Sequence, residues 1–191
     1  MGIDYSPVMV EYARAALPGV DFRQEDARDL SVFAQASFDS VFATNNVLDA
    51  LSHEDRLQAL HEIRYVLRQD GILIFSSHNR RWADAQSGPR IEWSSSPVST
   101  LRSSLRWFPR MRNYLRVKKL RRQEQDYALL NDIGHDYACL HYYIDDVTQQ
   151  SQLQSCGFEL LELLSNEGRA FLPGSRDTAR YGWLLYVARA I

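Results

Sequence analysis

Apolar and polar positions in this sequence repeat with two periods, one typical of strands and one typical of helices. Short apolar or alternating runs predict strands over residues 2–4, 20–23, 38–44, 72–75, 158–164 and 183–188. Apolar positions at helical spacing predict helices that begin after Ser6 and after Ser52, and another over residues 145–156. A serine hydroxyl accepts from N–H groups of the first helical turn, so both serines are suited to cap these helices.

The order of these elements predicts an α/β fold. Strands and helices alternate, as in a Rossmann-like, open, mostly parallel twisted sheet with helices on its faces. The run at 72–75 is apolar throughout, which fits a strand covered on both faces. The predicted strands at 158–164 and 183–188 have no helix-length segment between them, so we expect them to run antiparallel. We expect a single domain over residues 1–191.

Residues 80–140 interrupt the alternation. The segment is rich in Arg, Trp, Tyr and Ser, and a helix is predicted over residues 97–130. From Arg80 to Arg122 there are twelve Arg or Lys residues against two acids, although the whole chain has a formal net charge of −2. We interpret the segment as a basic, aromatic-rich helical insertion over the carboxyl edge of the sheet.

Three interpretations of this basic insertion stay open. It forms an amphipathic helix packed on the acidic remainder of the chain, a lid over an anionic small-molecule substrate, or a surface for nucleic acid or an anionic membrane. Among the functional roles we favour the substrate lid over a nucleic-acid partner, and we expect no membrane partner.

The composition excludes several classes of protein. Cys139 and Cys156 are too few for a disulfide framework, and no Cys/His cluster has zinc-ligand spacing, so no metal is predicted. No apolar run approaches the roughly 18 residues of a membrane span. The first residues have neither a basic lead nor a signal-like apolar stretch. We therefore expect a cytoplasmic protein with reduced thiols.

Polar side chains follow three of the predicted strands. Asp4 ends the first strand, Asp26 lies in the loop after the second, and Thr44, Asn45 and Asn46 follow the third. Ligands of open α/β sheets bind outside the carboxyl ends of the strands, where a carboxylate can accept from both hydroxyls of a ribose. Asp4 alone is better explained as a helix-leading or solvated acid, and Asp26 alone as a loop turn residue; the set together indicates a nucleoside site.

These segments together resemble the class I S-adenosylmethionine-dependent methyltransferases. Residues 2–14, Gly-Ile-Asp-Tyr-Ser-Pro-Val-Met-Val-Glu-Tyr-Ala-Arg, are similar to the second strand and following helix of that family. Residues 22–30 resemble its adenine-contact loop, and residues 38–49 resemble its fourth strand. Residues 60–75 resemble its next helix and fifth strand, and residues 143–164 the helix and sixth strand near its C-terminus. The resemblance covers residues 1–79 and 141–191.

The resemblance implies S-adenosylmethionine as the cofactor and methyl transfer as the activity. Seven residues would hold that cofactor: Asp4 at the ribose hydroxyls, Tyr5 and Ala27 beside the adenine, Asp26 at the adenine amine, and Thr44, Asn45 and Asn46 at the methionine part. The sulfonium is an activated methyl donor, so the protein is expected to supply alignment and desolvation above all.

The methyl acceptor is expected to be a small molecule, and the basic insertion suggests an anionic one. The candidate substrate-binding residues are His78, Trp107, Tyr114 and His141. Only some acceptors need a general base; His53, His78 and His141 are candidates by position, and a structural histidine is the alternative for each. The sequence singles out no catalytic residue among them.

The chain departs from the family at one point. Family members begin with a strand and a Gly-rich turn, and that strand is central in their sheet order, 3-2-1-4-5-7-6. None of the nine glycines here forms Gly-x-Gly. We expect an N-terminally truncated product of a longer gene, which folds with a rearranged sheet or as a homodimer through exposed sheet edges. Direct pairing of the second and fourth family strands is one way to close the gap.

Two functional expectations follow from this departure. Methyl transfer is expected to be impaired, with weak or no cofactor binding by this chain alone. The alternative is a non-catalytic, methyltransferase-like interaction protein that uses the basic insertion for an anionic partner or nucleic acid.

Overall fold

A computed structural model of the chain describes residues 1–91 and 93–191. The strands are β1 Gly2–Asp4, β2 Phe22–Gln24, β3 Phe38–Ala43, β4 Leu67–Asn79, β5 Arg122–Gln123, β6 Ala128–Leu130, β7 His141–Ile144, β8 Phe158–Ser165, β9 Ala170–Phe171 and β10 Trp183–Ala190. The α-helices are α1 Pro7–Ala16, α2 His53–Val66, α3 Pro97–Lys118 and α4 Asp146–Ser155. Short 3₁₀ turns lie at Val47–Ala50, Gly134–Tyr137 and Arg176–Arg180. Over the described residues, we find no helix with both the length and the apolar character that a membrane crossing requires.

The predicted helix starts are confirmed by their caps. The Ser6 hydroxyl accepts from the N–H of Met9 at the start of α1. The Ser52 hydroxyl accepts from the N–H of Asp55 at 3.1 Å at the start of α2. Such bonds satisfy N–H groups that have no partner inside the helix.

Most strands form one eight-stranded sheet built around the long strand β4. The order is β5-β6-β7-β4-β10-β8-β9, and β3 also pairs with β4. On one side of β4, its middle pairs in parallel with β3 and its last two residues, His78 and Asn79, pair in parallel with β7. On the other side β10 runs antiparallel to β4 and to β8, as predicted for the final strands. The carboxyl end of β3 therefore lies near the start of β7, and the carboxyl end of β4 lies beside the end of β7.

A layer of apolar side chains joins the eight-stranded sheet to α2 and α4. Ala59 and Leu60 of α2 and Leu153 of α4 are fully buried against Leu73 and Phe75 of β4. Burial of this kind is worth about 25 cal/mol for each Å² of apolar surface. This core fixes β4, the strand that carries His78.

Strands β1 and β2 form a separate two-stranded parallel sheet. Direct pairing of the second and fourth family strands, here β1 and β3, is wrong for the described residues, since β1 pairs with β2 and β3 with β4. The loop after β2 is attached to α2 instead. Its Leu30 N–H donates to the Glu62 carboxylate at 2.8 Å, and the Gln58 amide donates to the Arg28 carbonyl at 2.7 Å.

The basic insertion differs from the prediction in one respect. Helix α3 ends at Lys118, whereas the sequence predicted a helix to residue 130. Residues 122–130 form β5 and β6, which extend the sheet beside β7. Ala128 and Leu130 are buried on one face of β6, and this gain in burial and in ladder hydrogen bonds outweighs local helix propensity.

Candidate functional site

A buried ion pair supports the carboxyl edge of the sheet. Asp49, in the turn after β3, and Arg56, on α2, both have fully buried side chains with 2.5 Å between Oδ1 and Nη1. Arg56 also donates to the Ser77 hydroxyl at 3.2 Å and to the Gln149 and Gln152 side-chain oxygens at 2.8 and 3.2 Å. A buried guanidinium is stable only when its N–H groups are satisfied in this way.

Asp49 also fixes the imidazole of His78 at the end of β4. Its Oδ2 accepts from the His78 backbone N–H at 2.7 Å and from Nδ1–H at 2.7 Å. With the hydrogen on Nδ1, the lone pair on Nε2 faces the Asn46 amide nitrogen at 3.3 Å. His78 is therefore held in one tautomer, with Nε2 directed toward the residues that follow β3.

A second buried carboxylate, Asp132, lies two residues after β6. Its Oδ2 accepts from His141 Nδ1–H at 3.0 Å and from the Tyr143 hydroxyl at 2.5 Å. His141 and Tyr143 share one face of β7, and the His78 ring stacks on both, with centroid distances of 5.2 and 4.9 Å. Oδ1 of Asp132 is buried and has no hydrogen-bond partner among residues 1–91 and 93–191.

The electrostatics of this group follow from burial and hydrogen bonding. Burial raises the pKa of Asp132, but the hydrogen bonds from His141 and Tyr143 outweigh it and lower that pKa. Burial lowers the pKa of His141, and the Asp132 carboxylate more than compensates, so that pKa is raised. Burial and the Asp132 charge both raise the pKa of Tyr143. The group therefore favours a carboxylate beside a proton-holding imidazole and a neutral phenol.

The far side of His141 faces a thiol. Its Nε2 lies 3.4 Å from Sγ of Cys139, and the His135 ring centroid lies 5.4 Å from the His141 ring centroid. Burial raises the pKa of Cys139, and the Asp132 charge adds to the effect. Two trios of candidate metal ligands thus come together with ligand atoms within 4.8 Å: His135, Cys139 and His141, and His78, Asp132 and His141. The sequence predicted no such centre from spacing.

A cavity of about 280 Å³ opens beside Asp132. It lies between the segment after β4, helix α3 and the loop after β6. Its lining consists of Trp82, Asp84, Ser87, Gly88, Pro89, Arg90, Arg110, Asp132, Ile133 and Tyr137. Two of these are arginines, each beside a carboxylate: Arg90 at 3.3 Å from Asp84 and Arg110 at 2.7 Å from Asp136. We call this space the Asp132 cavity.

Comparisons with known proteins agree with this architecture. Residues 1–75 match a family model described as a methyltransferase domain. The structure of the CcbJ methyltransferase from Streptomyces caelestis is similar, with a TM-score of 0.61 at 15% identity over 99% of this chain and 73% of that chain. An S-adenosylmethionine-dependent methyltransferase from Mesorhizobium loti gives a TM-score of 0.59 at 17% identity, over 98% of this chain and 78% of that one. The chain has the class I methyltransferase fold.

A third structure with the methyltransferase fold contains ligands. It is 1,6-didemethyltoxoflavin-N1-methyltransferase from Burkholderia thailandensis, with bound 1,6-didemethyltoxoflavin and S-adenosylhomocysteine. The TM-score is 0.54 at 15% identity, over 98% of this chain and 59% of that chain, so this chain spans less than two thirds of its length. A search of curated proteins found no match. The resemblance predicted from the sequence is confirmed at the level of the fold.

The candidate adenosine residues lie around the two-stranded sheet of the methyltransferase fold. Oδ1 of Asp4 accepts from the Ser6 N–H at 2.8 Å, and Tyr5 is 76% exposed. Both oxygens of Asp26 bind Arg28, whose guanidinium lowers the pKa of that carboxyl. Ala27 packs against the main core. The N–H of Glu25 donates to the Asp4 carbonyl at 3.2 Å, which brings the Asp4 and Asp26 segments together.

The candidate methionine-end residues lie on the eight-stranded sheet. Asn45 and Asn46 follow Thr44 with left-handed backbones, each at φ 57°, a conformation that asparagine tolerates. The Asn46 N–H donates to the Ser76 hydroxyl at 2.8 Å. The structure therefore brings together Asn46, His78 and His141 of the predicted set.

The remaining predicted residues have structural partners. Trp107 donates from Nε1 to the Pro89 carbonyl at 3.2 Å, and the Tyr114 ring meets Tyr137 edge-on at 5.7 Å. Both contacts attach α3 to walls of the Asp132 cavity. His53, a candidate base, instead stacks on Tyr127 at 4.3 Å, and its Nδ1 lies 2.8 Å from the Tyr142 hydroxyl oxygen.

Most of the polar side chains around His78 and His141, here called the polar cluster, were not predicted from the sequence. The missed residues are Asp49, Arg56, Asp132, His135, Cys139 and Tyr143. One signal was present: His141 and Tyr143 alternate on a strand and must share a face.

Proposed function

We propose that this domain transfers the methyl group of S-adenosylmethionine to a small molecule bound in the Asp132 cavity. The observation that carries the proposal is the pair of buried carboxylates, Asp49 and Asp132, that orient His78 at the carboxyl end of β4 and His141 at the start of β7. Buried His/Asp pairs beside a cavity at this edge of an α/β sheet are typical of a catalytic centre. The family match over residues 1–75 supports the choice of methyl transfer.

One buried atom supports the assignment of the cofactor. Oδ1 of Asn46 is buried without a hydrogen-bond partner in the described part of the chain, so it is an available acceptor for the ammonium group of a methionine moiety. Asp4 and Asp26 would bind the adenosine part, and Asp26 would exchange one contact with Arg28 for the adenine amine. When bound, S-adenosylmethionine supplies an activated sulfonium methyl group.

His78 is the residue that we assign as general base. Its Nε2 faces Asn46, and Asp49 holds the hydrogen on Nδ1. An acceptor O–H or N–H would give its proton to Nε2, and the acceptor atom would take the methyl group as the methyl–sulfonium bond breaks and the sulfur leaves as a neutral thioether. Asp49 would stabilise the resulting imidazolium, and α3 would exclude water from the cavity.

Cofactor binding is the first test. We expect isothermal titration of the 191-residue chain with S-adenosylmethionine to give weak binding, above the low-micromolar range, because these residues contain no Gly-x-Gly turn. Asp4→Asn is expected to weaken binding further, and Asp21→Asn, at an exposed ion pair with Arg23, serves as its control. No heat at millimolar cofactor would overturn the proposal; low-micromolar affinity would overturn the expected impairment.

Methyl transfer is the second test. Incubation with S-adenosylmethionine labelled in the methyl group and a panel of small carboxylates and phosphates should identify an acceptor. We then expect His78→Asn to reduce the rate by about 10²–10⁴-fold, the usual contribution of a general base. His61→Asn, at an exposed position on α2, is the matched control. Equal rates for the two variants would remove His78 from the mechanism.

A non-catalytic role is the second candidate, favoured by the outer face of α3. Leu101, Leu105, Phe108 and Leu115 are each at least 60% exposed there, and arginines lie between them. Such a face suits an anionic partner. Binding of a short RNA at low salt, together with no cofactor binding, would favour this candidate.

A further inference from the structure

Three residues of the polar cluster are suited to hold a transition-metal ion. His135, Cys139 and His141 bring two imidazoles and a thiol together, with their ligand atoms within 4.8 Å of one another. Imidazole nitrogen and thiolate sulfur are the donors that Zn²⁺ prefers. In this set, His141 would bind through Nε2, which faces Cys139. The proposed base, His78, instead stacks on the His141 ring.

The distance between two of the donors already fits a metal site. In a tetrahedral zinc centre, bonds of about 2.3 Å to sulfur and 2.1 Å to nitrogen separate the two donor atoms by about 3.6 Å. Sγ of Cys139 and Nε2 of His141 are 3.4 Å apart. An ion at this position would therefore require little movement of either side chain.

Asp132 is placed as the outer partner of such a site. Metal-binding histidines usually donate their second ring N–H to a carboxylate, which orients the ring and strengthens its other nitrogen as a ligand. His141 donates from Nδ1 to Asp132 at 3.0 Å, so Nε2 is the nitrogen directed at Cys139. Oδ1 of Asp132 is buried and has no partner within residues 1–91 and 93–191, so this carboxylate leaves negative charge for a cation to offset.

The backbone that carries His135 is held in an uncommon conformation. His135, Asp136 and Tyr137 all have positive φ, at 50°, 51° and 63°. Three consecutive non-glycine residues in the left-handed region are costly and occur where the surroundings impose them, often at functional sites. The exposed His135 side chain can adjust to a metal without disturbing the core.

We propose that His135, Cys139 and His141 bind one zinc-class divalent ion, with Asp132 orienting His141 and a fourth coordination position left open. On binding, the Cys139 thiol loses its proton to solvent and the thiolate forms the metal–sulfur bond. The proposal rests on the geometry of this loop and is independent of methyl transfer.

The test is metal titration of the chelator-treated, 191-residue chain. We expect one equivalent of Zn²⁺ to bind with a dissociation constant below about 1 µM and to raise the melting temperature. Titration with Co²⁺ is expected to give a thiolate-to-metal charge-transfer band in the near ultraviolet. Absence of stoichiometric binding, or binding without that band, would overturn the proposal.

Four variants identify the ligands. We expect Cys139→Ser to abolish the Co²⁺ band, and His135→Asn, which tolerates the left-handed backbone, to weaken Zn²⁺ binding at least about tenfold. Cys156→Ala keeps Cys139 and should keep the band. His78→Asn is also expected to keep it; loss of binding in that variant would assign the ion to His78, Asp132 and His141 and overturn the proposed ligand set. Circular dichroism of each variant checks the fold.

Discussion

Single residues at the buried edge of the sheet determine both stability and site geometry. Asp49 is the clearest case, because one carboxylate neutralises Arg56, accepts from Ser77 and orients His78. Both partners of the ion pair are fully buried, so neither charge can be hydrated if the other is removed. The network therefore links the packing of α2 to the position of the proposed base.

Asp49→Asn should be strongly destabilising. The variant leaves the Arg56 charge buried without a counter-ion, which costs about 3–5 kcal/mol in the free energy of unfolding. Asp39→Asn, at the exposed ion pair with Arg68, is the control and should change the free energy of unfolding by less than about 1 kcal/mol. Urea denaturation measures both, and similar values for the two variants would contradict the argument.

The buried phenol of Tyr186 is expected to make the free energy of unfolding depend on pH in the alkaline range. Its ring is fully buried, its hydroxyl has no hydrogen-bond partner within the described residues, and burial, aided by Asp146, raises its pKa well above 10.0. The neutral phenol is favoured in the folded state. Its contribution to stability is complete below the unfolded-state pKa of about 10 and is lost as pH rises from there toward the folded-state pKa.

Tyr186→Phe removes this dependence and an unsatisfied hydroxyl. We expect the free energy of unfolding at pH 7 to rise by about 1 kcal/mol and the loss above pH 10 to become shallower than in the parent chain. Tyr65 is partly exposed on α2, so Tyr65→Phe should change the free energy of unfolding at pH 7 by less than about 0.5 kcal/mol. A destabilised Tyr186→Phe would indicate an unrecognised partner for the hydroxyl.

At the scale of elements, the end of α4 depends on a glycine. Gly157 follows the helix with φ +82°, and its carbonyl accepts from the N–H of Ile191, so the turn connects α4 to β8 and to the chain terminus. A left-handed residue at this position is the usual way to end a helix.

Gly157→Ala should therefore weaken the α4–β8 connection. The added Cβ disfavours the left-handed conformation by about 1–2 kcal/mol. Gly19→Ala is the matched control, because its Cβ would meet no atom within 4 Å and its φ is not in that region. The melting temperature should clearly decrease for Gly157→Ala and stay unchanged for Gly19→Ala. Equal decreases would show that the left-handed backbone at Gly157 is not the cause.

At the scale of the whole molecule, the separation of the two sheets leaves β3 with one unpaired edge among the described residues. Phe42 on this strand is 67% exposed. Open, apolar edge strands favour pairing with another chain. We therefore expect association of two copies through β3.

Light scattering coupled to gel filtration tests this expectation. The chain should show twice the monomer mass at high concentration, and Phe42→Lys should shift it to the monomer mass. Leu161→Lys, an equally large change at an exposed position of β8, should leave the dimer intact. A monomer at every concentration would contradict association through this edge.

Local signals account for most of what could be predicted. The starts of α1 and α2 follow from Ser6 and Ser52, because a cap acts on residues two or three positions away. The end of α3 did not follow, because residues 122–130 gain more from pairing beside β7 than from continuing a helix, and β7 lies outside any local window. Asp132 was not predicted as a site residue for the same reason.

The sequence by itself determined the alternation of strands and helices, the helix caps, the methyltransferase fold and the position of Asn46 and His78 at the carboxyl ends of neighbouring strands. Only the tertiary structure decided that Asp49 orients His78, that Asp132 orients His141, and that His135 and Cys139 approach the same imidazole. The physical reason is the distance along the chain over which each kind of interaction acts. Periodicity and capping depend on neighbours along the chain, whereas a buried carboxylate acquires its role from groups that the sheet register brings to it.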